Sequence, residues 1–366
     1  MSKPIHWGFL GAGTVAHRFA CGLRRVPETR VVAVASRSAP RAESFARRWG
    51  VPRWYADYDR LVGDPQVDVV YVATPNHRHY RDVLRALEAG KAVLCEKPFA
   101  MNAGEAAEMI DVARRRRLFC MEAMWMRFLP AMQRLNDLVG QLGELQMVTA
   151  QLGHALDDAA APPLFEPGLG GGALRDLGVY LVAFAIQWFG EPTEVEGFQT
   201  LGPTGVDDHA ALLLRFPRGQ LGCLTASLRL EGTNDAVLIG ERGRIRVHAP
   251  LYRPDRLTVS GFRRQTQPAV EPAWPWLENS RLARYGYRAL RTLARPLFGR
   301  GDRRVVVPFR GNGYNYEAAE VVRCLRAGCL ESPRIPWEQT LQIQRVLDAV
   351  PVRAGRAASS DMEGDP

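Results

Sequence analysis

The sequence predicts an α/β protein in two parts. A parallel sheet covered by helices on both faces comes first, and an α+β part with a mainly antiparallel or mixed sheet follows. Over the first 120 residues, short apolar runs rich in β-branched residues alternate with segments whose apolar residues recur at helical spacing. After residue 122 the pattern changes to long alternating stretches separated by turn signals. The length of 366 residues also suits two domains, since one domain usually takes roughly 100–200 residues.

In the first part, strands are expected over 5–11, 31–35, 67–74, 92–95 and 118–121, with helices over 14–26, 39–49, 78–89 and 103–116. Parallel strands joined by helices need right-handed crossovers and bury both faces of the sheet. In the second part, a helix over 130–139 leads into strands over 145–154, 193–200, 210–216, 221–230, 236–239 and 244–247. Pro217-Arg218-Gly219 and Glu241-Arg242-Gly243 read as hairpin turns between them. Helices over 316–327 and 338–350 close the chain, and the small polar tail 351–366 is expected to fray. The expected domains are therefore 1–123 and 124–350.

A hydrophobic share of 46% with 24% charged residues excludes wholesale disorder. The longest apolar runs, such as 67–74, fall short of the roughly 20 residues that span a bilayer. The N-terminus lacks an apolar stretch ending in a small-residue cleavage site, and the six cysteines are scattered without CxxC. Reduced thiols in a cytoplasmic protein are expected. A net charge of +9 invites a nucleic-acid reading. Its Arg residues are spread along the whole chain without zinc-finger spacing or an RNA-binding aromatic motif, so no nucleic-acid partner is expected.

Gly11-Ala12-Gly13-Thr14-Val15-Ala16 follows the first strand and opens a helix. This is the G-x-G-x-x-A dinucleotide fingerprint. Gly11 makes the tight turn, Gly13 admits a pyrophosphate to the backbone, and Ala16 lets helix and strand pack closely. The anion sits on the N–H groups at the helix start, around Thr14 and Val15. The end of the second strand chooses the dinucleotide. It reads Ala35-Ser36-Arg37-Ser38, without the acid that would hold a ribose 2′-hydroxyl. Arg37 can pair with a 2′-phosphate and Ser36 can donate to it, so NADP is favoured over NAD.

Two further loops lie at strand C-termini, where such sheets bind ligands. They are Thr74-Pro75-Asn76-His77-Arg78-His79 and Cys95-Glu96-Lys97-Pro98. Thr74, Pro75, Asn76, His79, Glu96 and Lys97 are the candidate cofactor contacts they supply. A residue before proline is held extended, so the Lys97 ammonium can reach across the crevice towards a nicotinamide.

With these pieces in place, the chain resembles the Gfo/Idh/MocA family of NAD(P)-dependent oxidoreductases. The resemblance rests on GAGTVA, TPNHRH, CEKPFA, EAMWMRFLP, GGGALRDLGVY and GNGYNYEAAEVVRCLRAGCLESPRIP, in that order over residues 8 to about 337. Within the family it is similar to the dimeric dihydrodiol dehydrogenases and the NADP-linked sugar dehydrogenases. The resemblance implies a Rossmann domain followed by an α/β domain with a large open sheet, often used for dimers. A homodimer or higher homo-oligomer is expected on that ground.

In GGGALRDLGVY, the glycines break the chain before a helix, and Asp176 and Tyr180 fall at i and i+4 on one face. Many relatives carry His at the position of Tyr180. A tyrosine there matches the dihydrodiol dehydrogenase branch, where it resembles a general acid/base beside the EKP lysine. Lys97, Tyr180 and Asp176 are the implied catalytic set. Phenol titrates near 10, and the Lys97 charge is expected to ease its ionisation and to polarise the carbonyl oxygen. Asp176 would bind a substrate hydroxyl or orient Lys97. Trp125 and Arg127 would roof the nicotinamide, Arg127 touching cofactor or substrate and Trp125 walling the apolar face of a sugar or cyclic diol. His154 and Phe165 are weaker candidates. No cluster has zinc spacing, and no metal is expected.

The implied reaction is hydride transfer between nicotinamide and a secondary alcohol or carbonyl of a cyclic polyol, either a sugar or a trans-dihydrodiol. Reduction of an anhydro- or keto-sugar would use the same site. A reading from another class is a non-catalytic NADP-binding sensor or assembly protein, which would need the phosphate loop but no proton-transfer set. The match fades between 268 and 304. There Arg281, Arg284, Arg288, Arg291 and Arg295 recur at helical spacing, with Leu282, Ala289, Leu290, Leu293 and Leu297 roughly opposite. This basic insertion at 270–300 is read as a helix packed on its own protein, in preference to membrane-surface contact through 279–298.

Overall fold

The structure is a computed structural model that describes residues 3–159, 161–262 and 302–353. The Arg-rich insertion at 270–300 therefore lies outside the described residues, as does the tail after 353.

The alternation in the first part produces six parallel strands in the order β3-β2-β1-β4-β5-β6. They are β1 (Ile5–Leu10), β2 (Thr29–Ala35), β3 (Arg53–Tyr55), β4 (Val69–Val72), β5 (Ala92–Glu96) and β6 (Cys120–Ala123). Helices α1 (Thr14–Leu23), α2 (Ala39–Trp49), α3 (Tyr58–Val62), α4 (His79–Glu88) and α5 (Ala103–Arg116) make the crossovers. Trp7, Phe9, Phe19, Phe45 and Tyr71 form one apolar layer beside the sheet. Val70, Val72, Val83, Leu87 and Ile110 form the other. Strand β3 and helix α3 are too short for a periodicity to show, and β6 starts two residues later than its apolar run suggests.

After α6 (Pro130–Val139), a nine-stranded sheet takes the order β14-β13-β12-β11-β7-β10-β9-β8-β15. Its strands are β7 (Leu145–Gly153), β8 (Glu194–Leu201), β9 (Asp207–Arg215), β10 (Leu221–Ser227), β11 (Ala236–Gly240), β12 (Gly243–Val247), β13 (Arg256–Gly261), β14 (Arg303–Val306) and β15 (Val352–Arg353). The sheet is mixed because β7 with β10, and β8 with β15, run parallel. Pairing of Val352 with Gln199 corrects the expectation of a tail frayed from 351. The apolar helix α7 (Val179–Phe189) lies on one face of this sheet. Its continuous stretch Pro167–Phe189 has the length and composition to cross a bilayer, contrary to the reading of short apolar runs, but 83% of its most apolar 18-residue window is buried inside the protein.

Two final helices, α8 (Tyr314–Arg326) and α9 (Trp337–Ala349), return to the first sheet. Helix α8 packs on α1, and α9 on α5 and α7. Residues from both ends of the sequence thereby meet at the C-terminal edge of the parallel strands.

Candidate active site

The phosphate loop is built as its glycines require. Gly11 has a φ of +104°, and a Cβ there would run into the carbonyl oxygen of Ala73, so only glycine allows the two strand ends to approach. Gly13 has an ordinary φ, and a Cβ on it would meet nothing within 4 Å. No side chain caps the N-terminus of α1 at that point. The open space and uncapped N–H groups fit a pyrophosphate. Arg37 is exposed at the end of β2, and Ser36 beside it is bonded by the Ser38 amide at 3.3 Å. The Thr74 hydroxyl, buried after β4, has no hydrogen-bond partner among the described residues.

The loop bearing Lys97 is held from behind by two buried side chains. The imidazole of His79 lies between the carbonyl oxygens of Pro98 at 2.8 Å and Thr74 at 2.9 Å. Glu122 accepts from the Phe99 amide at 3.2 Å and the Thr340 hydroxyl at 3.1 Å, and burial pushes its carboxyl up to about 7. Lys97 Nζ then reaches the Gly-rich segment before α7. It donates to Asp176 Oδ1 at 2.5 Å and to the Asp176 carbonyl at 2.8 Å. Asp176 sits in one wide π-type turn, Leu174–Gly178, rather than in a regular helix. The wide turn bonds Val179 N–H back to the Leu174 carbonyl, and such turns recur at functional sites. Asp207 anchors it by accepting from the Leu174 amide at 2.6 Å, and Gly172 lacks the Cβ that would strike that carboxyl.

Tyr180, on the first turn of α7, completes the cluster. Its hydroxyl accepts from Trp125 Nε1 at 2.9 Å, and the Lys97 ammonium lies 4.9 Å from its ring centre. Trp125 stacks parallel on Tyr314 at 4.7 Å, while Tyr252 stands 5.9 Å from Tyr180 and 6.2 Å from Trp125. An ammonium, a carboxylate, a phenol and an aromatic wall thus meet at the edge of the sheet that carries the phosphate loop.

Residues 5–124 match the family described as "Oxidoreductase family, NAD-binding Rossmann fold", and residues 132–246 match the "GFO/IDH/MocA C-terminal domain". A trans-1,2-dihydrobenzene-1,2-diol dehydrogenase from Danio rerio is 33% identical over 365 residues, covering 98% of this chain and 99% of that protein. The Homo sapiens protein of the same name is 34% identical over 352 residues, covering 94% and 96%. The chain belongs to the Gfo/Idh/MocA oxidoreductase family. Among solved structures, a 3-ketoreductase from Actinomadura kijaniata in complex with NADP and TDP-benzene superposes with a TM-score of 0.78 at 25% identity, over 96% of this chain and 99% of that one. An aldose–aldose oxidoreductase from Caulobacter crescentus shares the fold, with a TM-score of 0.77 at 23% identity over 95% and 96% of the two chains.

As a Gfo/Idh/MocA member the chain is an oxidoreductase with a nicotinamide-dinucleotide domain. Two residues expected at the ligands lie elsewhere. His79 is fully buried with both ring nitrogens occupied, so it shapes the Thr74 and Pro98 loops instead of touching a cofactor. Arg127 is 3% exposed and bonds the Ala183 carbonyl at 2.6 Å and Gln339 at 2.9 Å. It ties α7 to α9, with its guanidinium turned into the protein. Burial lowers its guanidinium to about 10, opposed by the Glu122 charge. Arg127→Ala should therefore cost about 3–5 kcal/mol of stability, read by urea unfolding, while the affinity of the folded fraction for NADPH stays unchanged.

The charge logic at Tyr180 also differs from expectation. Lys97 faces the ring and gives its hydrogen bonds to Asp176. Burial, then the Glu96 and Asp176 carboxyls, push the phenol well above its ordinary value, and the Trp125 bond only partly opposes them. Thr74, Pro75, Asn76 and Glu96 do lie at the strand ends. The Asn76 amide bonds the Gly170 carbonyl at 2.9 Å, and Glu96 is buried and bonded by the Tyr71 hydroxyl. His154 is half-buried, 5.9 Å from Tyr252, and Phe165 is covered by Arg229 at 4.1 Å. Sequence reasoning passed over Tyr252, Tyr314, Glu122 and Glu317. Tyr314 and Glu317 belong to GNGYNYEAAE, which carried the resemblance without being assigned a role.

Proposed function

We propose that this chain is an NADP-dependent oxidoreductase acting on a secondary alcohol, or the matching carbonyl, of a cyclic polyol such as a trans-dihydrodiol or sugar. Bound nicotinamide supplies the acceptor or donor of hydride. The observation that carries the reading is the convergence of Lys97, Asp176 and Tyr180 beside the phosphate loop. Lys97 polarises the substrate oxygen, Tyr180 gives or takes the proton at its Oη, and Asp176 holds the ammonium in place. Trp125, Tyr180 and Tyr252 line the apolar side of the ring substrate. Reduction of a keto-sugar is the second reading. It is favoured by a phenol kept neutral in the free enzyme, because a neutral phenol is the acid that reduction needs.

Arg37 is the residue proposed for the 2′-phosphate. We place the domain division at 123/124, with α8 and α9 reaching back over the first domain. A homodimer is proposed through the open face of the second sheet, where Phe198, Leu213 and Leu221 are exposed. A cytoplasmic home fits the six unpaired cysteines.

The test is fluorescence titration of the protein with NADPH and NADH, followed by turnover on pentoses, hexoses and dihydrodiols. NADPH should bind more tightly, and one class should turn over. Arg37→Ala should weaken NADPH roughly 10–100-fold through loss of a charge-assisted bond and leave NADH unchanged. NADPH binding without turnover on any compound would favour the sensor reading.

A further inference from the structure

At the end of the parallel strands opposite the crevice, the structure has an open cavity of about 630 Å³. The shortness of β3 makes room for it. That strand pairs β2 only from Ala33 to Ala35, so residues 29–32 have no neighbouring strand on that side. The cavity lies between this bare edge and the C-terminal ends of α1 and α2, with Leu23, Val32 and Trp49 among its apolar walls. Strand β1 has six residues and runs from the cavity to the phosphate loop, a span of roughly 20 Å. A ligand in the cavity stands clear of Lys97 and Tyr180.

The charged lining has one sign. Arg24, Arg30 and Arg53 line the cavity, and no carboxylate does. Arg24 and Arg30 are exposed, Arg24 lying over the Trp49 ring at 4.9 Å, and neither forms an ion pair among the described residues. Arg53 is held differently. Its Nε donates to Asp64 at 2.7 Å and its Nη1 to Gln66 at 2.8 Å, while Nη2 is buried without an acceptor among the described residues. A buried guanidinium N–H left without an acceptor carries a desolvation cost that a bound oxygen would remove. Asp64 offsets the Arg53 charge, which leaves the charges of Arg24 and Arg30 uncompensated.

We propose that this cavity is a second ligand site, separate from the dinucleotide crevice, for a small phosphate monoester carrying a flat apolar group. A phosphate monoester brings close to two negative charges and three acceptor oxygens to one point. That matches the two guanidiniums without a carboxylate and the spare donor of Arg53. Guanidinium forks suit phosphate because their coplanar N–H groups can bond two oxygens at once. The apolar walls take the flat group, and Trp49 is fixed for that role by its Nε1 bond to His17 Nδ1 at 2.7 Å. A bare anion would leave the walls uncovered, and a neutral aromatic would leave the guanidiniums unpaired. Both parts therefore belong on one ligand.

The test is isothermal titration of the full chain with phenyl phosphate, alone and in saturating NADP. Binding should reach a Kd of about 1 mM or tighter, and it should be the same in both, because NADP occupies the other end of the sheet. Inorganic phosphate should bind about fivefold more weakly or worse, having lost the burial of the ring. Benzoate, with a single charge and two oxygens, should bind about tenfold more weakly. Arg24→Ala combined with Arg30→Ala should weaken phenyl phosphate roughly 10–100-fold and leave NADPH affinity unchanged. Both side chains are exposed, so the double variant should fold as the wild type does. Arg244→Ala, which removes an exposed arginine of β12 outside the cavity, should change nothing. The proposal is overturned by competition from NADP, by equal binding of inorganic phosphate or benzoate, or by an equal loss in Arg244→Ala. Absence of phenyl phosphate binding up to about 10 mM would overturn it as well. The arginine comparison is independent of whether the chain turns over a polyol, so failure of the functional reading would be seen separately.

Discussion

Replacing Tyr180 by Phe should lower turnover by roughly 10²–10⁴-fold, the usual contribution of a positioned acid or base, with NADPH affinity unchanged. The geometry explains why the loss falls on kcat. Trp125 Nε1 can only donate, and it donates to the Tyr180 oxygen. The phenol therefore keeps its own hydrogen for a ligand. Burial holds that hydrogen in place by raising the phenol well above its ordinary value. Phe would keep the ring on which Lys97 rests and remove only the proton carrier. The Trp125 N–H would lose its partner, at a cost of about 1–3 kcal/mol, so thermal unfolding should show a small loss. Steady-state kinetics beside a cofactor titration separate the two effects. Retained turnover in a folded Tyr180→Phe protein would remove Tyr180 from the mechanism.

Lys97→Met should be damaging on the same scale, with turnover falling roughly 10³-fold from the loss of electrostatic stabilisation of the developing oxyanion. Met occupies a similar length and keeps an apolar contact with the Tyr180 ring. It leaves Asp176, whose side chain is about one-fifth exposed, without its ammonium. The same change removes a cation that lowers Glu96, so the charge balance beneath the site also shifts. Arg at this position should not rescue activity, because a planar guanidinium cannot place a point charge between the Asp176 carboxylate and its backbone carbonyl. Single-turnover measurements with bound NADPH would report the chemical step directly. A variant that loses only cofactor affinity would contradict the assignment.

Much of the fold was legible because its signals are local. Alternation of period two in 145–153 and β-branched runs such as Val69–Val72 mark strands by the side-chain direction of each residue alone. The Gly11–Gly13 spacing after a strand marks a phosphate loop because Gly11 takes the turn that only glycine tolerates against the next strand end, and Gly13 leaves open space before the helix start. Strand β3, helix α3 and the pair β13 and β14 carried too few residues, or too little contrast, to declare themselves. Arg127 and His79 show the limit for the site. Each sits in a motif at the crevice, yet each is turned into the interior, because carbonyl oxygens from distant segments need donors there.

The sequence by itself determined that a parallel dinucleotide-binding sheet precedes a mixed sheet and that no acid occupies the end of β2, and it singled out Lys97, Asp176 and Tyr180 as the candidate reactive side chains. Those are properties of spacing and residue type. Tertiary structure alone decided the burial that disfavours ionisation of Tyr180, the wide turn that aims Asp176 at Lys97, and the turning of His79 and Arg127 into the interior. Each depends on how much water is excluded and on polar and charged groups brought together from β4, β5, the wide turn and α7, far apart in the chain. Desolvation and Coulomb interactions act through space, and no local pattern in the chain records them.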